Sequence, residues 1–144
     1  MGQKLTATTL IDISASAAEV WKALTTPELI KKYFFGTEAI SDWKVGSSLH
    51  FKGKWEENEY LDKGTILEMI PEKLFRYSYL SSMSGLEDKI ENYSNICYSL
   101  TEDSAGIRLI VTQDNIETRE KVEHSTKVWE FVLNELKKLL ESTN

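Results

Sequence analysis

The chain has 144 residues, of which 41% are hydrophobic and 28% are charged, and its formal net charge is −6 at pH 7. A chain of this length can bury one core without metals or disulfides, so we expect a single domain over residues 1–144. The negative charge disfavours nucleic-acid binding, which needs clustered Lys and Arg. The only cysteine, Cys97, excludes an internal disulfide and is typical of a cytoplasmic protein. No stretch is apolar for long enough to predict a membrane span.

The first third of the chain predicts a strand followed by two short helices. β-Branched residues dominate 5–13, which favours a strand. Ser16 and Glu19 have the spacing of a capping box and predict that a helix begins just after Ser16. Thr26 and Pro27 predict the start of the second helix, with Thr26 as the N-cap and Pro27 at the first helical position.

The middle of the chain predicts an antiparallel meander. Apolar and polar residues alternate with the period of half-buried strands, and turn-forming residues separate the runs. The predicted strands cover 47–55, 60–70, 73–80, 90–100 and 106–113.

A long amphipathic helix is predicted over 117–141. Its apolar stripe consists of Val122, Trp129, Val132, Leu133, Leu136, Leu139 and Leu140. Thr118 and Ser125 fall on the same stripe, so we expect polar side chains to face inward near its start. A twisted antiparallel sheet with this helix across it is an α+β two-layer fold, and a cavity between the two layers would suit a small ligand.

Four segments resemble a known superfamily, in the order "SASAAEVWKALTTPELIKKYF", "DWKVGSSLHF", "GTILEMIPEKLFRYSY" and "HSTKVWEFVLNELKKLL". They resemble the START-like and Bet v-like (SRPBCC) helix-grip domains, and within them the branch named for the activator of heat-shock protein 90 ATPase. The resemblance implies a curved antiparallel sheet wrapped around a long C-terminal helix, with two short helices after the first strand. Ser47, Tyr79 and Val128 depart from the branch's Gly, Trp and Gly, which bears on the pocket's shape rather than on the fold.

The candidate binding residues are those that the alternation directs toward the cavity. Tyr98 shares a strand face with Asn92 and Ser94, so this face becomes polar toward one end. A ligand pocket with a polar end would show this pattern, as would ordinary solvation of a sheet edge, and core packing explains most of the aromatic residues. The candidate ligand-binding residues are Phe51, Trp55, Tyr77, Tyr79, Asn92, Ser94, Tyr98, Thr118, Ser125 and Trp129.

No motif predicts catalysis, a metal site or a cofactor. His50 and His124 are expected at the surface, and neither has Cys or Asp at the spacing of metal ligands. No Ser-His-Asp arrangement, phosphate-binding loop or dinucleotide signature is present in the sequence. We therefore expect no catalytic residue, no metal and no cofactor.

Three functions remain open at this point. The leading hypothesis is a non-enzymatic monomer or weak homodimer that binds a small apolar or amphipathic molecule. The resemblance implies two alternatives: a co-chaperone-like regulator of a heat-shock chaperone ATPase, and a cyclase- or hydrolase-like enzyme acting in the cavity. Chaperone activation belongs to larger members of the branch, in which this domain is joined to a second one.

The segment 81–89 predicts a loop that covers one end of the cavity. It contains Ser, Gly and Met without periodicity. Its place between two strands predicts that it lies at the same end as the polar start of the long helix. Met83 and Leu86 would then form an apolar flap, and a plain surface loop is the alternative.

Overall fold

The computed structural model describes residues 4–55, 57–82, 85–104 and 106–141. In chain order, the elements are β1 (Leu5–Ile13), α1 (Ala17–Thr25), α2 (Pro27–Tyr33), β2 (Glu38–Ser41), β3 (Ser48–Trp55), β4 (Asn58–Ile70), β5 (Leu74–Tyr79), a 3₁₀ turn (Ile90–Asn92), β6 (Ser94–Asp103), β7 (Gly106–Ile116) and α3 (Arg119–Glu141). Across these ranges, no helix is long and apolar enough to cross a membrane.

The strands form one seven-stranded antiparallel sheet in the order β1-β7-β6-β5-β4-β3-β2. The long helix α3 packs chiefly against β1 and also contacts α1 and α2. This confirms the predicted α+β helix-grip fold, in which a curved sheet holds the C-terminal helix.

The sequence signals at the short helices are largely confirmed. The backbone N–H of Glu19 donates to Ser16 Oγ at 3.1 Å, and the backbone N–H of Ser16 donates to Glu19 Oε1 at 3.3 Å, which is a complete capping box. Pro27 begins α2 as predicted. Thr26 takes the N-cap position but makes no side-chain cap bond.

The sheet is larger at one end than the sequence predicts, and irregular there. The strand expected over 106–113 continues to Ile116, because Leu5 of β1 pairs with Ile116 across a bulge in β7. Asn115 lies in this bulge with φ +58°, a left-handed conformation that Asn tolerates better than most residues.

The four-residue strand β2 was missed, because it is too short to show a period.

The strand expected over 90–100 begins only at Ser94. The side-chain amide of Asn115 donates to the backbone oxygens of Glu91 and Tyr93, at 2.8 and 2.9 Å. A side chain therefore satisfies carbonyls that a strand neighbour would otherwise bond, and residues 90–92 turn instead.

The end of α3 is hydrogen-bonded to residues at the end of β1. Lys137 Nζ donates to the backbone oxygen of Asp12 at 2.7 Å, and the backbone N–H of Ser14 donates to Glu141 Oε2 at 2.9 Å. Lys137 Nζ also lies 2.6 Å from Glu141 Oε2. The bonds that Glu141 accepts from Lys137 and from the Ser14 backbone hold the pKa of its carboxyl below its ordinary value. The C-terminal half of α3 is thus fixed against the end of β1.

Candidate functional site

The middle of the concave face is filled by side chains. Phe51, Tyr77 and Tyr98 pack ring against ring at centroid distances of 5.7 and 5.9 Å, and Tyr98 meets Trp129 edge to face at 5.9 Å. The space left among these rings and their neighbours is about 10 Å³. That is at or below what one water molecule requires, so this void does not hold an apolar ligand.

The hydroxyl groups inside this core satisfy each other. Tyr77 and Tyr98 are both buried, and their phenol oxygens are hydrogen-bonded at 3.0 Å. Burial raises the pKa of each phenol above its ordinary value. The two groups therefore remain neutral and paired, as structural tyrosines do.

An open cleft of about 380 Å³ lies where the filled core ends. Its walls come from the start of α3, the ends of β5 and β7, the start of β6 and the segment between β5 and β6. Leu80, Leu86 and Ile116 supply apolar surface, and Ser94 and Ser125 supply hydroxyls. Its volume falls within the range of about 300–1,000 Å³ that is usual for small-molecule sites.

Gln113 and Trp129 mark the boundary between the core and the cleft. The indole N–H of Trp129, which is 5% exposed, donates to Gln113 Oε1 at 2.9 Å. Gln113 also lines the cleft, so one side chain contacts both regions. An indole nitrogen can only donate, and this fixes the carbonyl of Gln113 toward Trp129.

The β5–β6 segment is attached to β4 at its beginning by a buried carboxylate. Asp62 is 8% exposed and accepts bonds from the Tyr79 hydroxyl at 2.6 Å, from the Ser82 backbone N–H at 2.8 Å and from Ser82 Oγ at 3.1 Å. Burial, together with the adjacent Asp62 carboxylate, raises the pKa of the Tyr79 phenol well above its ordinary value. Tyr79 therefore lines the cleft as a neutral phenol whose proton is already donated.

A second attachment holds the far part of the same segment. Asp88 pairs with Lys63 of β4 and accepts a bond from the Tyr93 hydroxyl at 2.6 Å. Lys63 and Tyr93 together hold the pKa of Asp88 below its ordinary value, and the bond to Asp88 raises the pKa of Tyr93 to about 12. The segment is thus fastened to β4 at Ser82 through Asp62 and at Asp88 through Lys63.

The structure places the candidate residues in three groups. Tyr79, Asn92, Ser94 and Ser125 line the cleft. Phe51, Tyr77, Tyr98 and Trp129 belong to the filled core. Two further candidates remain, Thr118 and Trp55.

Thr118 does not face inward, contrary to the prediction. It lies before α3 and is exposed, and its Oγ1 accepts a bond from the Lys121 backbone N–H at 3.1 Å. The hydroxyl therefore caps the helix, which begins at Arg119 rather than at 117. Trp55 ends β3, and the prediction for its side chain falls outside the described residues.

The predicted meeting of the 81–89 loop and the start of the long helix is observed. Leu86 is 41% exposed and lines the same cleft as Ser125. The prediction for Met83 falls outside the described residues. A flap at this end of the helix is therefore consistent with the position of Leu86.

Sequence reasoning did not select several residues that line the cleft: Lys4, Gln113, Asn115, Lys121 and His124. For Gln113 a signal was present. Ile107, Leu109 and Val111 alternate inward along β7, and Gln113 is a polar residue at the next inward position. For Asn115 no such signal existed, because the bulge breaks the alternation.

The cleft contains no constellation that would hold a metal. Within the ranges that the structure describes, no three His, Cys, Asp or Glu side chains are close enough to share an ion. His124 is exposed at the cleft. The polar atoms of the cleft are mostly amides and hydroxyls, which orient organic ligands by hydrogen bonding.

An antiparallel sheet that grips a long C-terminal helix, with a cleft at the start of that helix, defines the START-like helix-grip class. A family model described as "Activator of Hsp90 ATPase homolog 1-like protein" matches residues 14–141, and the chain belongs to this family. A search of curated proteins found no match.

Solved structures of other proteins have the same fold. A protein from Cytophaga hutchinsonii, known from its solution structure, is 42% identical over 99% of this chain and 98% of its own, with a TM-score of 0.86. A crystal structure of a Mesorhizobium loti protein is 20% identical over 97% and 99%, with a TM-score of 0.82. The Aha1 dimer from Colwellia psychrerythraea is 22% identical over 95% and 96%, with a TM-score of 0.76. The last two likenesses bear on the fold alone.

Proposed function

We propose that this protein binds a small amphipathic molecule in the cleft at the start of α3. The observation that carries the proposal is the cleft itself, about 380 Å³ of open space, whereas the void among the core rings is about 10 Å³. The sequence predicted a cavity between the sheet and the long helix, and the cleft lies at the N-terminal end of that helix.

The two kinds of surface in the cleft favour an amphipathic occupant. Leu86 is 41% exposed, and a ligand that covered it would gain about 25 cal/mol per Å² of apolar area removed from water. Asn92, Ser94 and Ser125 would orient its polar group. Ordering of the ligand would offset part of this gain.

The proposal is tested by titrating the protein with 2-octanone, a small neutral amphiphile, and following backbone amide NMR shifts. We expect shifts at residues 79–82, 92–94, 113–117 and 121–125, and none in the hairpin around residue 104. Shifts centred on the filled core, or none at any concentration up to the solubility of the ketone, would contradict the proposal.

A variant pair separates the cleft from the rest of the surface. Ser125→Trp places an indole in the cleft and should abolish the 2-octanone shifts. Lys127→Trp adds the same group at an exposed position of α3 and should leave them intact. Equal binding by both variants would show that the ketone binds elsewhere.

A further inference from the structure

We infer that the ligand enters the cleft with a hydrogen-bond acceptor, a carbonyl or carboxylate oxygen, against Nε2 of Gln113. This inference rests on the proposed function and specifies the chemistry of the ligand's polar end.

The orientation of the Gln113 side chain follows from its partner. Trp129 Nε1 donates to Gln113 Oε1 at 2.9 Å, and an indole N–H has no acceptor capacity. If the amide were turned over, two donors would face each other. The side-chain oxygen of Gln113 therefore points toward the core, and its NH₂ group points toward the cleft.

No described residue accepts a hydrogen bond from this NH₂ group. The only bond that the structure gives the Gln113 side chain within the described ranges is the one from Trp129. Among the described residues Thr9 Oγ1 is the only buried side-chain polar atom without a partner, so the NH₂ group of the half-buried Gln113 is open to solvent in the cleft. An acceptor atom on a ligand would satisfy it and displace water from it.

The other donor groups at the cleft leave the Gln113 amide as the donor for a ligand's oxygen. Lys121 lines the same part of α3 as Ser125, but its ammonium group is paired with Glu117. Asn115 also lines the cleft, but both protons of its amide have backbone partners, at 2.8 and 2.9 Å. Its amide therefore does not compete with Gln113 for the ligand's oxygen.

The acidic residues at the cleft do not reverse this preference. Glu117 and Glu91 both line the cleft and both are exposed. Glu117 Oε2 lies 3.5 Å from Lys121 Nζ, so this pair has little net charge. Solvent screens the charge of Glu91 more than it screens a half-buried amide.

Three eight-carbon probes distinguish a ligand that accepts hydrogen bonds from one that donates them. 2-Octanone is a neutral acceptor, octanoate is a negatively charged acceptor, and octylammonium is a positively charged donor. Their dissociation constants are measured by NMR titration of the cleft amides. We expect wild-type protein to bind 2-octanone or octanoate at least about tenfold more tightly than octylammonium. Octanoate binding tighter than 2-octanone identifies a carboxylate ligand, and the reverse identifies a neutral carbonyl.

The variant Gln113→Glu turns the cleft donor into an acceptor and can still accept from Trp129. We expect it to reverse the order of the probes, and the indole proton resonance of Trp129 shows whether the core bond is kept. Asn134→Asp adds the same charge at an exposed position of α3 and should preserve the wild-type order. If Gln113→Glu does not fold, the wild-type order of the three probes decides the question.

Failure of the inference is distinct from failure of the proposed function. If all three probes bind in the cleft with equal affinity, or octylammonium binds most tightly, the role of Gln113 is overturned while ligand binding stands. If no probe shifts the cleft amides, both are overturned.

Discussion

The hydroxyl groups of Tyr77 and Tyr98 are hydrogen-bonded to each other at 3.0 Å inside the filled part of the concave face. Both residues were candidate ligand contacts from the sequence, yet each phenol has its partner within the protein. Neither hydroxyl therefore depends on a ligand for a hydrogen bond, and the interaction between them can be tested by mutation.

Tyr98→Phe should destabilise the protein by about 1–3 kcal/mol, because it leaves the buried Tyr77 hydroxyl without a partner. The double variant Tyr77→Phe with Tyr98→Phe should be less destabilised than the sum of the two single variants, because both polar groups are removed together. Urea denaturation of the four proteins measures this. Additive losses would mean that the hydroxyls do not interact.

Gly64 should tolerate no side chain. A Cβ at this position would lie 1.6 Å from the backbone oxygen of Ser78, in the neighbouring strand. Since backbone cannot yield as a side chain does, we expect Gly64→Ala to lower the free energy of unfolding by about 3 kcal/mol or more.

The matched control is Gly53→Ala. The three atoms nearest to its Cβ all belong to the Tyr60 side chain, whose phenol end can move. We expect the smaller loss there, and chemical denaturation that ranked Gly53→Ala as the more damaging change would contradict the close approach of β4 and β5.

The α1 capping box should contribute about 1 kcal/mol to stability. Ser16→Ala removes the oxygen that accepts from Glu19, while Ser16→Asp supplies another acceptor. Thermal denaturation should therefore show a loss in Ser16→Ala and little change in Ser16→Asp. Equal losses in the two variants would argue against the cap.

The attachment of the β5–β6 segment should weaken in acid. The pKa of Asp88 is held below its ordinary value by Lys63 and Tyr93, so its stabilising contribution is complete above the pKa of an unfolded aspartate and is lost as the pH falls through the lowered pKa. Tyr93→Phe removes one of the two causes and should raise the NMR titration midpoint of Asp88. Tyr60→Phe, whose hydroxyl bonds Thr37 instead, should leave that midpoint in place.

The elements and their order could be predicted from sequence because their signals are local. The Ser16–Glu19 spacing and the alternation in β6 each reflect a few neighbouring residues. The signal for the turn at Ser47 is also local. Ser47 Oγ donates to the backbone oxygen of Lys44 at 2.7 Å, so the serine stabilises the turn where the resembling branch has glycine.

The site could be predicted only in part, because alternation gives the side of the sheet and not the space in front of it. Phe51 and Ser94 both belong to strands with inward-facing positions, but only Ser94 lies at the end where α3 and the sheet leave room. That room depends on ring packing between distant residues. The bulge at Asn115, whose amide donates to the carbonyls of Glu91 and Tyr93, likewise depends on pairing with β1.

The position of a bound ligand tests the central claim most directly. Nuclear Overhauser effects between the methyl groups of 2-octanone and the protein should appear at the methyl groups of Leu86 and Ile116, and at the Gln113 side-chain amide. They should be absent from the rings of Phe51 and Tyr77, which are packed against each other. Contacts to these two rings, without contacts to Leu86 and Ile116, would contradict the assignment of the cleft as the binding site.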